Sequence, residues 1–215
     1  MLPSGFKIGL NLEHANPSKP LTDEQLVAAA QAGDQDAFAR LVRRHEDQVF
    51  TMALRLLCNR EDARDLAQEV FLTVYQSLDR FRGDAQFRTW LYRVTINRGR
   101  DEIRRRGTVK HTRPVSLDRM MGGDEERAAA VEPAARGASP EAMARGHEAE
   151  QMIAAAMIRL SEELREVIVL RDVRDLAYDE MAQVLDIPVG TVRSRLNRAR
   201  TRLAELLQPM LEGGA

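Results

Sequence analysis

The segment PVGTVRSRLNRARTRL at positions 188–203 combines a helical apolar stripe with a dense run of arginines. At helical spacing, one face collects Val192, Leu196, Ala199, Leu203 and Leu206. The outward face collects Arg193, Ser194, Asn197 and Arg198. No acidic residue occurs from 191 to 204, so the local sequence does not cancel an attraction for phosphate. We therefore predict a helix that buries its apolar face and presents its polar face to a DNA groove.

The residues before this segment supply the first half of a helix-turn-helix. The sequence LAYDEMAQVLDI at 176–187 contains a short apolar helix with Met181, Ala182, Val184 and Leu185. Asp186 and Ile187 form the corner, and Pro188 suits the first turn of the following helix, whose N-terminal amides could hold a phosphate. The second helix would then be the recognition helix. The alternative is an arginine-rich helix that only faces solvent, and the upstream helix and turn weigh against it.

Whole-chain composition limits the other possibilities. The 215 residues are 44% hydrophobic and 30% charged, which is enough apolar material for one or two packed domains. The formal net charge of -1 conceals basic segments that acidic stretches elsewhere offset. Cys58 is the sole cysteine, and neither Cys nor His shows the spacing of metal ligands. We expect a buried structural thiol at Cys58 and no metal or cofactor.

The N-terminal segment 1–20 lacks the continuous apolar core of a secretion signal. No apolar run in the chain is long enough to span a bilayer. We therefore predict a disordered tail at 1–20 and a cytoplasmic protein that does not insert into a membrane.

The remaining sequence predicts helices, since no segment shows the strict alternation of a strand. Thr22 and Gln25 form a capping box for a short helix that Gly33 ends, Asn59 can cap a third helix, and Ser161 can cap a later one. The core candidates of the second helix are Phe38, Leu41, Val42, Val49 and Leu54. The predicted fold class is all-α, with two small helical domains joined by a flexible acidic linker and a helix-turn-helix in the C-terminal domain.

The predicted bounds are 21–106 for the N-terminal helical domain, 107–138 for the linker and 139–210 for the C-terminal domain. Periodicity fades within the linker and acidic residues outnumber basic ones in its middle part. A small helical module around 127–131 is the alternative, but it would bury almost nothing.

The third helix carries a second signal on its exposed face. Its buried stripe consists of Ala63, Leu66, Ala67, Val70, Val74 and Leu78. The opposite face collects Asp65, Gln68, Glu69 and Leu72. An exposed leucine among acids and amides suggests a docking surface, although single exposed apolar residues are common and this face alone favours simple solvation.

The fourth helix and the loop before it combine arginines with aromatic residues. Arg88, Arg98 and Arg100 contribute to the positive charge of a segment in which Phe87, Trp90, Leu91 and Val94 share one face. Basic charge interleaved with aromatic rings suits single-stranded nucleic acid. Core positions are the simpler interpretation of Phe87 and Trp90. Phe81, in a loop beside Arg82, is the better candidate for contact with a base.

Five sequence blocks together resemble the extracytoplasmic-function (ECF) branch of bacterial RNA polymerase sigma factors. These blocks are DLAQEVF (65–71), FRGD (81–84), FRTWLYRVTIN (87–97), LREVIVL (164–170) and PVGTVRSR (188–195). They follow the order and approximate spacing of the family, and the resemblance covers nearly everything from 21 to 207. The linker is longer than usual for the family.

The resemblance implies roles for the matching positions. Asp65, Gln68, Glu69 and Leu72 would dock on the β′ clamp helices of core RNA polymerase, and the β flap is a second expected contact. Phe81, Arg82, Arg88, Asn97, Arg98 and Arg100 would bind unstacked non-template bases and backbone at the minus-ten element. Thr191, Arg193, Ser194, Asn197 and Arg198 would bind the duplex minus-thirty-five element. The linker would follow the RNA exit path, and an anti-sigma factor is an expected partner.

Two other classes of protein are alternatives for this sequence. A conventional helix-turn-helix regulator, which acts without polymerase, would explain 188–203 but neither the aromatic and basic fourth helix nor the docking face. An enzyme acting on nucleic acid would need a carboxylate cluster, a phosphate-binding loop or a nucleophile paired with a base. The sequence contains no clear pattern of any of these. The scattered histidines, expected to be surface or structural, are His14, His45, His111 and His147. We expect no enzymatic activity.

Overall fold

The structure is a computed structural model that describes residues 21–110 and 140–212. Within these ranges the chain forms eight α-helices and no β-strand. The first four are α1 (Asp23–Gln31), α2 (Gln35–Leu57), α3 (Arg60–Ser77) and α4 (Phe87–Lys110). The others are α5 (Pro140–Ile158), α6 (Glu162–Ile168), α7 (Tyr178–Leu185) and α8 (Val189–Glu212). A 3-10 turn spans Leu78–Arg80 and a π-helical turn spans Val169–Val173.

The all-α prediction with two helical domains is confirmed. The tail predicted at 1–20 lies outside the described residues, as does the linker from 111 onward. Residues 107–110, predicted as the start of the linker, instead continue α4. None of the described helices is both long enough and apolar enough to cross a membrane.

The first and third helices begin at the predicted caps, Thr22 and Asn59, and the second begins after Asp34. The Thr22 hydroxyl oxygen accepts from the Gln25 amide at 3.3 Å, and the Gln25 side-chain oxygen accepts from the Thr22 amide at 2.9 Å. Asp34 and Asn59 cap α2 and α3 with one side-chain oxygen each, Asp34 accepting from the amides of Asp36 and Ala37 and Asn59 from that of Asp62. Gly33 has a φ of 96°, which a residue with a Cβ rarely adopts, so it ends α1 without strain. These local bonds fix the residues at which α1, α2 and α3 begin.

The core of the N-terminal domain lies between α2, α3 and α4. Ala63, Leu66, Val70 and Val74 of α3 and Leu78 after it are buried as predicted, but Ala67 is only half-buried. On α2 the prediction was partly wrong, because Phe38, Val42 and Leu54 are only half-buried. The buried residues of α2 are Ala37, Leu41, His45, Val49, Met52, Ala53, Leu56 and Leu57. The buried face is wider than a single stripe because α2 contacts α1, α3, α4 and also the C-terminal domain.

A glycine permits the close approach of α4 to α2. A Cβ added at Gly99 would lie 3.1 Å from Cδ1 of Leu56, which is tighter than almost all observed Cβ contacts. Tyr92, also on α4, is buried and its hydroxyl donates to Oε1 of Gln48 at 2.7 Å. Burial raises the pKa of the Tyr92 hydroxyl. These contacts fix the rotation of α4 and so decide which of its arginines face outward.

The C-terminal domain packs α8 against α6 and α7. The buried positions of the helix-turn-helix are Met181, Val184, Leu185, Val192, Leu196, Ala199 and Leu206. Asp186 at the corner has a left-handed φ of 55°, and α8 begins after Pro188. The side-chain cap predicted at Ser161 was wrong, since Ser161 makes no capping bond with its hydroxyl. The sequence therefore predicts the helix-turn-helix and the start of α6 after Ser161 correctly, but not the absence of a side-chain capping bond there.

The two domains lie in contact. Helices α2 and α4 touch elements of the C-terminal domain, and the buried apolar residues of both domains form one cluster. The described part of the molecule is thus a closed arrangement in which one face of α4 is turned toward the second domain.

Candidate docking and nucleic-acid interfaces

Helix α3 presents an apolar pair on its outward face. Leu72 is 61% exposed and Tyr75 is 54% exposed, and neighbouring exposed apolar side chains, unlike a single one, can mark an interaction surface. The ring of Phe38 packs edge-on against Tyr75 with centroids 5.0 Å apart, which restricts the position of the phenol. The structure places the predicted residues Asp65, Gln68 and Glu69 exposed on the same helix. Tyr75 was missed by sequence reasoning, and its spacing of three from Leu72 is the signal that identifies it.

An aromatic corner forms at the end of α3 and the start of α4. Phe81 is half-buried, and its ring lies 5.0 Å from the ring of Trp90 and 6.1 Å from that of Phe87, centroid to centroid. The side-chain amide of Gln31 donates to the carbonyls of Leu78 and Phe81 at 2.8 and 2.9 Å. The loop that carries Phe81 is therefore held from α1 rather than left free.

An open cleft borders this corner. Its lining residues are Arg80, Phe81, Arg82, Asp84, Ala85, Thr89, Trp90 and Arg93. Trp90, interpreted from the sequence as a core residue, is only half-buried and forms part of the wall, whereas Phe87 is buried as expected. An apolar wall beside arginines is an arrangement that can stack a base and hold a phosphate.

The structure separates the other predicted minus-ten residues into two groups. Asn97 is exposed, and Nε of Arg98 donates to the Thr73 hydroxyl at 3.1 Å. Arg88 and Arg100 instead meet carboxylates of the C-terminal domain. Nη2 of Arg88 lies 3.0 Å from Oε1 of Glu180. The structure thus brings Phe81 and Arg82 to the cleft and directs Arg88 and Arg100 to the contact between the domains.

Arg100 and Glu166 form the most buried ion pair of this contact. Nε and Nη2 of Arg100 donate to the two carboxylate oxygens at 2.6 and 2.7 Å, and the Glu166 side chain is 1% exposed. This hydrogen bond to Glu166 is the main cause that raises the pKa of the Arg100 guanidinium. Burial, and then the negative charge of Glu166, raise the pKa of the nearby Glu162 carboxyl. The second domain therefore brings concentrated negative charge to the basic face of α4.

The predicted recognition helix α8 presents its polar face to solvent. Arg193, Ser194, Asn197 and Arg198 are exposed and Thr191 is half-buried. The Ser194 hydroxyl donates to the carbonyl of Thr191 at 3.0 Å, and the guanidinium of Arg193 lies over the ring of Tyr178, 5.6 Å from its centroid. In the described residues neither arginine of this face pairs with a carboxylate.

The remaining arginines of α8 do pair with carboxylates. Arg195 meets Glu163 at 3.0 Å, Arg200 meets Asp172, and Arg202 meets Glu205. These arginines are paired even though residues 191–204 contain no acid. Glu163 and Asp172 belong to other elements, and Glu205 follows one turn later on α8. What remains available to an external phosphate or base is the face that carries Arg193 and Arg198.

No cluster that could hold a metal ion occurs among the residues the structure describes. Cys58 is half-buried at the left-handed end of α2, and burial raises the pKa of its thiol. His45 is 4% exposed, with Nε2 2.8 Å from a carboxylate oxygen of Asp23. His14 and His111 lie outside the described residues, and nothing is described of the His147 side chain.

Known protein families match both helical domains of this chain. Sigma-70 region 2 matches residues 41–109 and Sigma-70, region 4 matches residues 150–203. The ECF RNA polymerase sigma-E factor of Escherichia coli K12 is 37% identical over 196 residues, covering 90% of this chain and 98% of that protein. The RNA polymerase sigma-H factor of Pseudomonas aeruginosa is 36% identical over 189 residues, covering 88% and 95%. The chain therefore belongs to the ECF family of RNA polymerase sigma factors.

Solved structures share the same architecture. CnrH, in complex with the cytosolic domain of CnrY, matches with a TM-score of 0.62 and 28% identity, covering 87% of this chain and 97% of that one. The sigma factor RpoE of Bartonella quintana, in complex with the anti-sigma factor NepR, matches with a TM-score of 0.58 and 24% identity, covering 80% and 96%. The match to RpoE shows a shared fold and nothing more.

Proposed function

We propose that this sigma factor binds core RNA polymerase, directs it to a set of promoters and promotes strand opening there. The observation that carries the proposal is that one chain presents two different surfaces whose chemistry suits nucleic acid. Helix α8 offers a polar face of the kind that enters a duplex groove, and the Phe81 cleft offers the aromatic wall and arginines that suit an unpaired strand. A conventional helix-turn-helix regulator needs only the face of α8 that suits duplex DNA.

Core polymerase would dock on the outward face of α3. Leu72 and Tyr75 supply an apolar centre, and Asp65, Gln68 and Glu69 supply a polar border. A protein interface of this kind gains most of its affinity from a few desolvated apolar anchors surrounded by polar groups. The β′ clamp helices are the proposed partner of this face, and the β flap is the proposed partner of the C-terminal domain.

The minus-ten element would be bound as a single strand at the cleft and along α4. Phe81 and Trp90 can stack a flipped base, while Arg82 and Arg98 attract the backbone. Asn97 is exposed and carries both a donor and an acceptor, so it suits the edge of a base. Extruding a base costs a few kcal/mol, which these contacts would offset. Arg88 and Arg100 belong to this surface once their partners in the second domain are released.

The minus-thirty-five element would be bound as duplex by α8. Arg193 and Arg198 project from the exposed face and carry no carboxylate partner in the described part of the chain. An arginine can bond both acceptors on the major-groove edge of guanine. Thr191, Ser194 and Asn197 complete the surface with shorter polar side chains, of which Asn197 is best suited to a base edge.

An anti-sigma factor is a further proposed partner, because two structures that resemble this chain were solved with such a protein or with a partner's cytosolic domain. We also propose that the protein works in the cytoplasm, where core polymerase and promoters are found. It would have no enzymatic activity of its own, since its proposed surfaces hold and orient DNA while the polymerase performs the chemistry.

Run-off transcription tests the proposal. Purified core polymerase is combined with the full chain and a library of promoter templates under reducing conditions. Transcripts that start downstream of a shared motif are expected with the wild-type chain and not with core alone. A protein that binds duplex DNA but yields no transcript and no core complex would instead be the conventional regulator.

A further inference from the structure

One side-chain amide of α1 holds both ends of the turn that leads to Phe81. Nε2 of Gln31 donates to the Leu78 carbonyl at 2.8 Å and to the Phe81 carbonyl at 2.9 Å. A carboxamide nitrogen carries two hydrogens, so both of its donors are used. The Phe81 amide closes the same turn by donating to the Leu78 carbonyl at 3.0 Å. The backbone that carries the Phe81 ring is therefore fixed by a residue 50 positions earlier in the chain.

Helix α1 is itself anchored at its other end. The Asp23 carboxylate lies 2.6 Å from Nη1 of Arg44 and 2.8 Å from Nε2 of His45, both of which belong to α2. Leu26, in the middle of α1, is fully buried. Gln31 thus extends from a helix that cannot shift on α2 without breaking these contacts.

Beyond Phe81 the loop is open to solvent. Arg82, Gly83 and Asp84 are exposed. Gly83 has a φ of 77°, and a Cβ added there would meet no atom within 4 Å. Phe81 is therefore the border between the held part of the loop and its exposed part, and the bonds from Gln31 lie at that border.

We propose that Gln31 is a positioning residue for strand capture, because its amide keeps the Phe81 ring against Trp90 and so preserves an aromatic wall that is ready before a base arrives. The inference rests on the proposed function, in which the Phe81 cleft stacks a base of the minus-ten strand. Gln31 acts through Phe81 and does not itself bind the strand. Residue 31 precedes the residues 41–109 that match Sigma-70 region 2, so the family match does not assign this position a role.

A preformed aromatic wall binds a base more tightly than one that must be ordered during binding. The apparent affinity scales with the fraction of molecules whose loop already has the competent conformation. Each hydrogen bond to the turn makes a modest net contribution to that conformation. The core of the N-terminal domain is built from apolar residues of other helices, so loss of the two bonds changes the position of the loop rather than the fold.

Replacement of Gln31 by methionine tests this role. Methionine matches the length and helix propensity of glutamine but has no N–H to donate. Gln25→Met is the matched control, since Gln25 lies on the same helix and its side chain accepts from the Thr22 amide at 2.9 Å. The control therefore loses a hydrogen bond of α1 while the bonds to Leu78 and Phe81 remain. Circular dichroism shows whether each variant is folded.

Trp90 is the sole tryptophan of the chain, so the intrinsic fluorescence of the protein reports on the wall of the cleft. We expect Gln31→Met to shift the emission maximum to longer wavelength and to increase quenching by acrylamide, because a displaced Phe81 ring exposes the indole to water. Gln25→Met should leave both unchanged. A bond that served only the stability of α1 would give no such shift in the folded variant.

Strand capture is measured on the complex of the full chain with core polymerase. Fluorescence anisotropy gives the affinity for a labelled single strand that carries the non-template sequence recovered by run-off transcription. We expect Gln31→Met to weaken strand binding about three- to tenfold. Affinity for core should not change, since Leu72 and Tyr75 on α3 are untouched. In a Phe81→Ala background the same substitution should have no further effect, because residues that act through one another are not additive.

Four results would overturn the inference. The first is an unchanged emission spectrum in folded Gln31→Met, and the second is a shifted spectrum with unchanged strand affinity. The third is an equal loss of strand affinity in Gln25→Met, which would assign the effect to the stability of α1. The fourth is a full further loss when Gln31→Met is added to Phe81→Ala, which would show that Gln31 does not act through Phe81.

Failure of the underlying function gives a different pattern. If the wild-type complex does not bind the strand, or if Phe81→Ala binds it as tightly as wild type, the Phe81 cleft is not the strand site. The inference about Gln31 is then lost with it, whatever the emission spectrum shows.

Discussion

The ring of Phe81 packs against the indole of Trp90, with centroids 5.0 Å apart and ring planes inclined by 38°. Both side chains are half-buried and both line the open cleft. A base that enters the cleft meets an aromatic pair that is already assembled. The bond from Gln31 of α1 to the Phe81 carbonyl helps to keep the pair assembled, since a displaced Phe81 would leave Trp90 with Phe87 as its aromatic neighbour.

Phe81→Ala is expected to impair strand opening more than binding of closed duplex. Loss of the ring removes the stacking surface, which is worth about 1–3 kcal/mol per base in single-strand binding sites, while α8 is untouched. Permanganate reactivity of promoter thymines measures opening. Phe81→Tyr keeps the ring and serves as the control. Reactivity equal to wild type in the alanine variant would refute the role of Phe81.

Leu72→Asp is expected to weaken binding to core polymerase by about tenfold or more, the loss typical when a central apolar anchor is removed. The fold should persist because the side chain is 61% exposed. Fluorescence titration of labelled protein with core enzyme measures the affinity. Ile153→Asp is the matched control, since Ile153 is an exposed apolar residue on α5 of the other domain. If the two variants bind core equally well, α3 is not the docking face.

Arg193→Ala is expected to lower affinity for the cognate minus-thirty-five duplex by about 1–3 kcal/mol if the guanidinium bonds a base edge. Affinity for random duplex should change much less. Arg202→Ala tests general charge loss, because Arg202 lies on the same helix but pairs with Glu205. Electrophoretic mobility shifts with both duplexes measure the difference. An equal loss on random DNA would assign Arg193 to phosphate.

Asp186→Gly is expected to raise the free energy of unfolding by about 0.5–1 kcal/mol, since glycine adopts a positive φ without a Cβ clash. Asp186 has a φ of 55° and is exposed, so no packing is lost. Asp186→Ala keeps the Cβ, loses the polar side chain and should lower stability. The shift of the urea midpoint measures both changes. If Asp186→Ala were more stable than Asp186→Gly, the corner would have to relax away from its left-handed conformation.

Features set by neighbouring residues could be predicted from the sequence. The capping box of Thr22 and Gln25, the cap at Asn59 and the buried stripe of α3 each depend on residues a few positions apart. The recognition helix was predicted for the same reason, because one helical period places Val192 and Leu196 inside and Arg193 outside.

Features set by distant residues were not predicted. The pairs of Arg100 with Glu166 and of Arg88 with Glu180 join positions 66 and 92 apart, and no local pattern indicates them. The half-exposed state of Trp90 depends on where the Phe81 loop lies. The exposure of Tyr75 was missed because a tyrosine at helical spacing from buried residues suits a core equally well.

The Leu56 carbonyl receives its bond from Arg165, a donor 109 positions later in the chain. Contacts of such high sequence separation carry a large loop-closure cost and form late, whereas the helix pairs of the N-terminal domain are close in sequence. On a ribosome, α2 is complete long before Arg165 has been synthesised. The N-terminal domain must therefore fold with that carbonyl hydrated, and docking of the second domain is the final step in the maturation of the chain.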